Sequence, residues 1–261
     1  MMTTALVFVI CLAASTIGGI CGIGGGVVIK PLLDSIGIMS VSTVSFLSGL
    51  TVLAMACLNV LKNRRGCELD TARSVPLGIG AAVGGIAGKQ VFSSLKAALN
   101  ADRMVGAVQA MVLGLLILGT LLYVLNKARI SAKNVGGIAA PGFIGLMLGI
   151  CSSFLGIGGG PMNLAVLYYF FSMDTKKAAV NSILIILLSQ LASLIFSLIT
   201  GVVPAFSWSV LAAMVLAGAA GGLLSAHLHK KLSAHLTDRL FIGLLIVIFA
   251  ICVYNAVRML A

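Results

Sequence analysis

The stretch Gly22-Ile23-Gly24-Gly25-Gly26 decides the fold, because it interrupts an apolar run and returns as Gly156-Ile157-Gly158-Gly159-Gly160. Each glycine in a helix interior costs about 1 kcal/mol relative to alanine, so a helix is expected to end at each copy. In a bilayer, backbone N–H and C=O groups need partners, and a break is tolerated only inside protein or beside a wet cavity. The two copies therefore predict two buried helix breaks.

The composition indicates a membrane protein. Of 261 residues, 60% are hydrophobic and 9% are charged, whereas about 25% of residues are charged in a soluble domain. Most of the long apolar runs reach the roughly 20 residues that a spanning helix needs. These runs cover roughly 4–21, 40–61, 75–95, 104–125, 135–155, 178–200, 208–228 and 240–259, with shorter apolar pieces at 27–38 and 161–172.

The two halves of the chain resemble each other. At the offset that superposes the glycine stretches, Ser48 falls on Ser182, Gly84 on Gly218 and Gly88 on Gly222. We therefore expect an all-α integral membrane protein made of two repeats, 1–133 and 134–261. Each repeat is expected to hold a re-entrant, glycine-broken helix hairpin followed by three transmembrane helices.

The positions of the lysines and arginines favour inverted repeats. If each of the eight long runs crossed once, eight cations would lie on one side and nine on the other, which gives no orientation. If the chain turns back at each glycine break, one side collects twelve: Lys62, Arg64, Arg65, Arg73, Lys127, Arg129, Lys133, Lys176, Lys177, Lys230, Lys231 and Arg239. The other five are Lys30, Lys89, Lys96, Arg103 and Arg258. Because cytoplasmic loops are basic, this arrangement places the twelve in the cytoplasm and both termini outside.

The glycine breaks suggest an anion site. A short helix is expected to start just after each break, near Val27 and Pro161, and helix N-termini offer free N–H groups with partial positive charge. The backbone amides would come from Gly24, Gly25, Gly26, Gly158, Gly159 and Gly160. The alternative is that the glycines only allow close helix packing.

Several polar side chains near the breaks are candidate ligands for an anion. The candidates are Lys30, Ser48, Asn163, Asn181 and Ser182. The alternative for Lys30 is that it extends to a nearby interface, and the alternative for the others is bonding between helices. Asn59 and Gln190 are interpreted as such interhelical bonds.

The carboxylates and histidines of the sequence indicate few further functional sites. Asp34 is the one carboxylate near an apolar centre, which makes it the candidate for proton coupling, unless it only marks the hairpin exit. His227, His229 and His235 are interpreted as solvated loop residues without partners for a metal site. No catalytic or cofactor motif is recognisable, and no basic stretch is interleaved with aromatics, so we expect neither an enzyme nor a nucleic-acid-binding protein.

The segments GIGGGVVIKPLL at 22–33 and GIGGGPMNLAVL at 156–167, with their repeat and the eight-run layout, resemble the TauE/SafE-type sulfite exporter family. The resemblance implies a secondary carrier of a small sulfur-containing or organic anion, such as sulfite, sulfoacetate or a related sulfonate, in the bacterial inner membrane. The second segment departs from the first, since Pro161 directly follows the glycines and Ala165 stands where Pro31 aligns.

Three alternatives to a carrier remain open from the sequence. An anion or water channel would use the same site, and a non-transporting membrane assembly partner would not use it at all. An intramembrane enzyme is the third, although paired catalytic residues are absent. The expected partners are a small anionic substrate and membrane lipid, with further copies of the chain as an open alternative.

Overall fold

The computed structural model describes residues 2–63, 69–99 and 102–260, and its regular structure there is entirely helical. The α-helices are α1 (Met2–Cys21), α2 (Gly26–Ile36), α3 (Val41–Asn63), α4 (Thr71–Leu99), α5 (Asp102–Asn126), α6 (Ala139–Leu155), α7 (Gly160–Phe171), α8 (Thr175–Ile199), α9 (Trp208–Lys231) and α10 (Ala234–Leu260). A short 3₁₀ turn, Lys127–Arg129, follows α5. The predicted all-α class is confirmed.

Within the described residues, seven helices are long and apolar enough to cross a membrane, namely α1, α3, α4, α5, α8, α9 and α10. The sixth helix is shorter than its apolar run suggests: the run was expected over 135–155, whereas α6 begins at Ala139 and has 17 residues. The segment before it follows the end of α7 instead, where the Lys133 and Val135 amides donate to the Tyr169 and Phe170 carbonyls at 2.6 and 2.8 Å. Those bonds satisfy the backbone without a helix.

The short helices α2 and α7 begin at the glycine breaks, as predicted. At the first break Gly22 and Gly24 have φ angles of +77° and +74°. At the second break Gly156, Gly158 and Gly159 have φ angles of +68°, +83° and +93°. Glycine adopts this left-handed region without the steric cost that a Cβ brings, so the backbone shape itself requires these residues.

The first helix of each half packs against the other half. Helix α1 packs along α9, and α6 packs along α4. At the repeat offset, α4 corresponds to α9 and α1 to α6, so the two pairings are equivalent. Glycines allow these backbones to touch: a methyl group on Gly149 would lie 2.8 Å from the Ala81 Cα, and one on Gly221 would lie 2.6 Å from the Ser15 Cβ.

The packed helices run in definite directions. Because Ser15 lies against Gly221 and Gly19 against Ser225, α1 and α9 point the same way. The α4 and α6 pair is parallel as well, and α3 is parallel to α9, with Thr51 on Gly218 and Met55 on Gly222.

Helices α3 and α8 cross the centre of the molecule in opposite directions. Gly49 of α3 lies beside Gln190 of α8, and three residues further along α3, Val52 packs with Ile186 near both breaks. Helix α8 in turn runs parallel to α4, since Gly78 contacts Leu188 and Gly85 contacts Ser193.

Two of the predicted cytoplasmic arginines, Arg64 and Arg65, fall in the 64–68 segment outside the described residues, as does Cys67.

Candidate anion-binding site

The two glycine breaks meet in the protein interior. A methyl group on Gly26 would lie 2.6 Å from the Ile157 carbonyl oxygen, and one on Gly160 would lie 2.5 Å from the Ile23 carbonyl oxygen. The N-terminus of each short helix therefore touches the break of the other half. Apolar side chains close this junction, since Val52 and Ile186 pack against both Gly24 and Gly158.

A cavity lies beside the second break. A narrow inner part is bordered by Ser45, Gly49, Gly156, Gln190 and Ser193. It shares Ser45, Lys89 and Ser153 with a larger cavity of about 520 Å³. Lys96 and residues 201–204 line the outer part of that cavity. The second break therefore forms the inner end of an open path.

Hydroxyl groups and lysines line this path, and no carboxylate does along the described part of the chain. The Ser153 and Ser193 hydroxyls are 2.7 Å apart, and the Ser197 hydroxyl donates to the Ser193 carbonyl at 2.8 Å. Hydroxyl and amide groups can donate to an anion, and Lys89 gives the inner part of the path a positive charge.

The lysine at the inner part of the path is Lys89. Its ammonium group lies 6.0 Å from the Phe46 ring centroid, and no described acidic side chain lies within salt-bridge distance of it. Lys96, further out, donates to the Ser42 hydroxyl at 2.7 Å. An anion that enters the path therefore meets a cation whose charge is not already neutralised by a carboxylate.

Comparison with known proteins decides the family. The family model described as Sulfite exporter TauE/SafE matches residues 7–251. The chain belongs to this family. No curated protein and no solved structure matches the chain. Members of the TauE/SafE family are membrane transporters rather than enzymes, and with its seven apolar helices this member is a multi-pass membrane protein.

In this TauE/SafE protein, the predicted site residues Ser48, Gly159 and Asn163 gather around the second break. Ser48 donates its hydroxyl to the Gly156 carbonyl at 3.1 Å, which stabilises the break from α3. A methyl group on Gly159 would lie 3.1 Å from the Asn163 amide group. The Asn163 Oδ1 atom and the Ser45 hydroxyl are buried without a hydrogen-bond partner in the described structure. Buried polar atoms of this kind need an explanation, and for the Ser45 hydroxyl, which can donate, a bound anion is one.

The predicted residues of α8 do not lie together with that group. Ser182, the repeat counterpart of Ser48, is buried, and its hydroxyl has no partner among the described residues. Asn181 instead holds the start of α4, because its Oδ1 atom accepts from the Asp70 amide at 2.9 Å and from the Ser74 hydroxyl at 2.7 Å.

Lys30 is paired rather than extended to an interface. Its ammonium group lies 2.7 Å from the Asp34 carboxylate, and the residue is 3% exposed. The pair faces α5 and α10, where Gln109 and Asn255 border the same small cavity. In this chain, the short helix α2 that follows the first glycine break therefore contains a buried ion pair.

The sequence interpretation missed most residues of the cavity. Lys89 was only counted as a charge, and Gln190 was interpreted as an interhelical bond. A sequence pattern could have indicated the side of the cavity that α8 forms. Ser189, Ser193 and Ser197 are four residues apart and therefore lie on one face of that helix. A second interpretation was wrong: His229 is not a solvated loop residue but is 4% exposed in α9, with its Nδ1 atom 2.9 Å from the Ile20 carbonyl oxygen.

Proposed function

We propose that this chain is a secondary transporter that carries a small sulfur oxyanion or sulfonate across the bacterial inner membrane by alternating access. The observation that carries the proposal is the hydroxyl-lined cavity that holds Lys89 and ends on the second glycine break. Small tetrahedral or trigonal oxyanions need several hydrogen-bond donors around one positive charge, and this path supplies them.

The two halves, 1–133 and 134–261, act as inverted repeats in this proposal. The helix directions support it. Helices α1 and α3 run parallel to α9, α3 runs opposite to α8, and α8 runs parallel to α4 and hence to α6. Helix α6 then runs opposite to α1, its counterpart in the repeat. Inverted repeats let a transporter form two mirror-related states of similar energy.

The difference between the two breaks supports alternating access. The second break borders the open cavity, while the first is closed. A methyl group on Gly22 would lie 2.6 Å from the Ala179 Cβ. Next to it Asn59 donates to the Ser225 hydroxyl at 2.9 Å, and Asn63 donates to Asn59 at 3.0 Å. A carrier is expected to be open on one side at a time, and in this proposal the present arrangement is the state that is open at the second break.

The open side is the outer side in this proposal. Ser42 at the start of α3 and Lys96 at the end of α4 line the cavity. The predicted cytoplasmic cations Lys62 and Arg73 lie at the opposite ends of the same two helices. The cavity therefore opens away from the basic side, towards the periplasm.

The proposed substrate contacts combine backbone and side chains. Lys89 provides charge, and the Ser45, Ser153 and Gln190 side chains provide donors. Gly156 borders the inner end of the cavity, and we propose that the amides of Gly158, Gly159 and Gly160 with Asn163 complete the floor when the substrate binds. In the opposite state Gly24, Gly25 and Gly26, with Ser182, take the equivalent place.

The test is exchange of radiolabelled sulfite in proteoliposomes, with the Lys89→Gln variant. Loss of one charged hydrogen bond costs about 1.5–3 kcal/mol, so we expect exchange to fall by at least roughly tenfold. Lys62→Gln, which alters an exposed lysine at the end of α3, is the matched control and should behave like the wild type. Wild-type rates in Lys89→Gln would contradict the proposed site.

The same vesicles distinguish a carrier from a channel. Sulfite inside the vesicles should accelerate uptake of labelled sulfite by a carrier, because the loaded protein returns faster than the empty one. A channel would show no such stimulation.

A further inference from the structure

A buried ion pair lies where α2, α5 and α10 meet. The Lys30 ammonium and the Asp34 carboxylate are 2.7 Å apart, and their side chains are 4% and 8% exposed. Desolvating two charges is expensive, and an ionisable residue inside a membrane protein is by default a functional hypothesis. The pair does not border the cavity that ends on the second glycine break.

Three oxygen atoms at this site, one of them from Asp34 itself, have no hydrogen-bond donor among the described residues. The three are Asp34 Oδ1, Gln109 Oε1 and Asn255 Oδ1, and all are buried. The amide nitrogens are already engaged, since Gln109 donates to the Phe154 carbonyl at 2.5 Å and Asn255 to the Pro31 carbonyl at 2.7 Å. The three residues border one cavity of about 10 Å³, room for about one water molecule.

Gln109 connects this cavity with the substrate path. It borders both the small cavity of the ion pair and the 520 Å³ cavity. Phe154, whose carbonyl accepts its amide, borders the larger cavity as well. A proton that enters with water from the open side therefore passes the polar side chain of Gln109 before it reaches Asp34.

We propose that Asp34 binds a proton that is carried together with the anion, which rests on the function proposed above. A hydronium ion from the open side gives its proton to the Asp34 Oδ1 atom and becomes water, and the carboxylate becomes a carboxylic acid. The new O–H donates to the Asn255 or Gln109 oxygen, which supplies the missing hydrogen.

The charge of the ion pair explains the coupling. Lys30 and ionised Asp34 together are neutral, whereas Lys30 beside the protonated acid carries one uncompensated positive charge. That charge favours an anion in the neighbouring cavity, and by linkage a bound anion favours the proton. Proton and anion therefore bind together and cross together, in the direction set by their gradients.

The charged and titratable groups that face Asp34 are few. Lys30 lies on its own helix, and α10 contributes Cys252 and Arg258, whose guanidinium donates to the Ser35 carbonyl. Helix α5 contributes Gln109, which does not titrate. Within the described ranges Asp34 is the one carboxylate that borders this cavity.

The test uses Asp34→Asn, which resembles the protonated acid, in proteoliposomes that contain a trapped pH dye. A sulfite gradient is imposed and the internal pH is followed, while exchange of labelled sulfite is measured at equal pH. We expect exchange within about twofold of the wild type but proton movement reduced by at least roughly tenfold. A purely structural role of Asp34 would lower both rates together and would overturn the proposal.

Two further variants keep the test decisive. Lys30→Gln/Asp34→Asn removes both charges, so no unpaired lysine destabilises the protein; it should bind sulfite more weakly than Asp34→Asn, because the positive charge is gone, and it should likewise not move protons. Asp238→Asn, which alters an acid paired with Lys127 at 2.9 Å outside both cavities, should move protons like the wild type.

Sulfite-driven proton movement at wild-type rates in the Asp34 variants would overturn the proton site, even if exchange persists. Sulfite transport that needs sodium rather than protons would overturn it too. Absence of exchange in the wild type would instead count against the proposed carrier function.

Discussion

The two glycine breaks share one pentapeptide but have different surroundings. At the first break Gly22 lies against the backbone of Ala179, and the contact is closed. At the second, Gly156 lies against the side chain of Ser45, which borders the open cavity. Ala179 and Ser45 occupy equivalent positions in the two repeats. The pentapeptide therefore sets the backbone shape, and the residues that face it decide which break the substrate reaches.

The walls beside the two breaks differ in the same way. The wall of the cavity beside the second break, here called the open wall, contains Lys89, Ser193 and Ser197. At the repeat offset, the corresponding residues beside the first break are Leu223, Asn59 and Asn63. The asparagines bond to each other and to Ser225, which holds the closed wall together. The duplicated scaffold thus carries two walls of different chemistry.

The largest difference is expected for alanine at the first glycine of each break. Gly22→Ala puts a Cβ at a φ of +77° and against the Ala179 backbone, and we expect a loss of about 3 kcal/mol of stability. Gly156→Ala, at +68°, meets the Ser45 Cβ at 2.8 Å, a milder overlap than that with the Ala179 backbone, so a loss of about 1.5 kcal/mol is expected.

Thermal unfolding of the two purified variants in detergent checks this difference. Gly243→Ala, whose Cβ would meet nothing within 4 Å, is the control. Equal losses at Gly22 and Gly156 would contradict the distinction between a backbone and a side-chain neighbour.

An intermediate effect is expected for the rate at which a water-soluble reagent reaches a cysteine placed in each of the two walls. In a variant whose own cysteines are replaced, Ser93→Cys in the cavity should react with a membrane-impermeant maleimide about tenfold faster than Asn63→Cys in the closed wall. Reagent is added from the outer face of right-side-out vesicles.

Inverted vesicles provide the control for sidedness. Faster reaction at position 93 from the cytoplasmic face would reverse the proposed orientation, and equal rates at the two positions would remove the asymmetry.

The smallest effect on stability is expected for Ser48 and Ser182, which occupy equivalent positions in the two repeats. Ser48→Ala removes a hydrogen bond to the Gly156 carbonyl and should cost about 1 kcal/mol. Ser182→Ala removes a buried hydroxyl that has no partner in the described chain, so it should be neutral or slightly stabilising. Thermal unfolding without anion measures both. A loss at Ser182 as large as at Ser48 would show that the two breaks are stabilised alike.

The sequence predicted the backbone better than the site. Four glycines in five residues break a helix, so the predicted helix starts near Val27 and Pro161, found at Gly26 and Gly160, followed from local physics alone. Lys89 could not be assigned in this way, because its role depends on α4 lying beside α3 and α8, a contact between distant segments. The pairing of Lys30 with Asp34 was accessible, since a spacing of four places both on one helix face.

The exchange of first helices between the halves has a consequence for biogenesis. Helix α1 leaves the ribosome long before its partner α9 exists, and the glycines of α4 have only lipid to contact until α6 is inserted. The first half therefore waits in the membrane with its close-packing surfaces uncovered. Until the second half is inserted, lipid is expected to cover the surfaces of α1 and α4 that α9 and α6 cover in the finished protein.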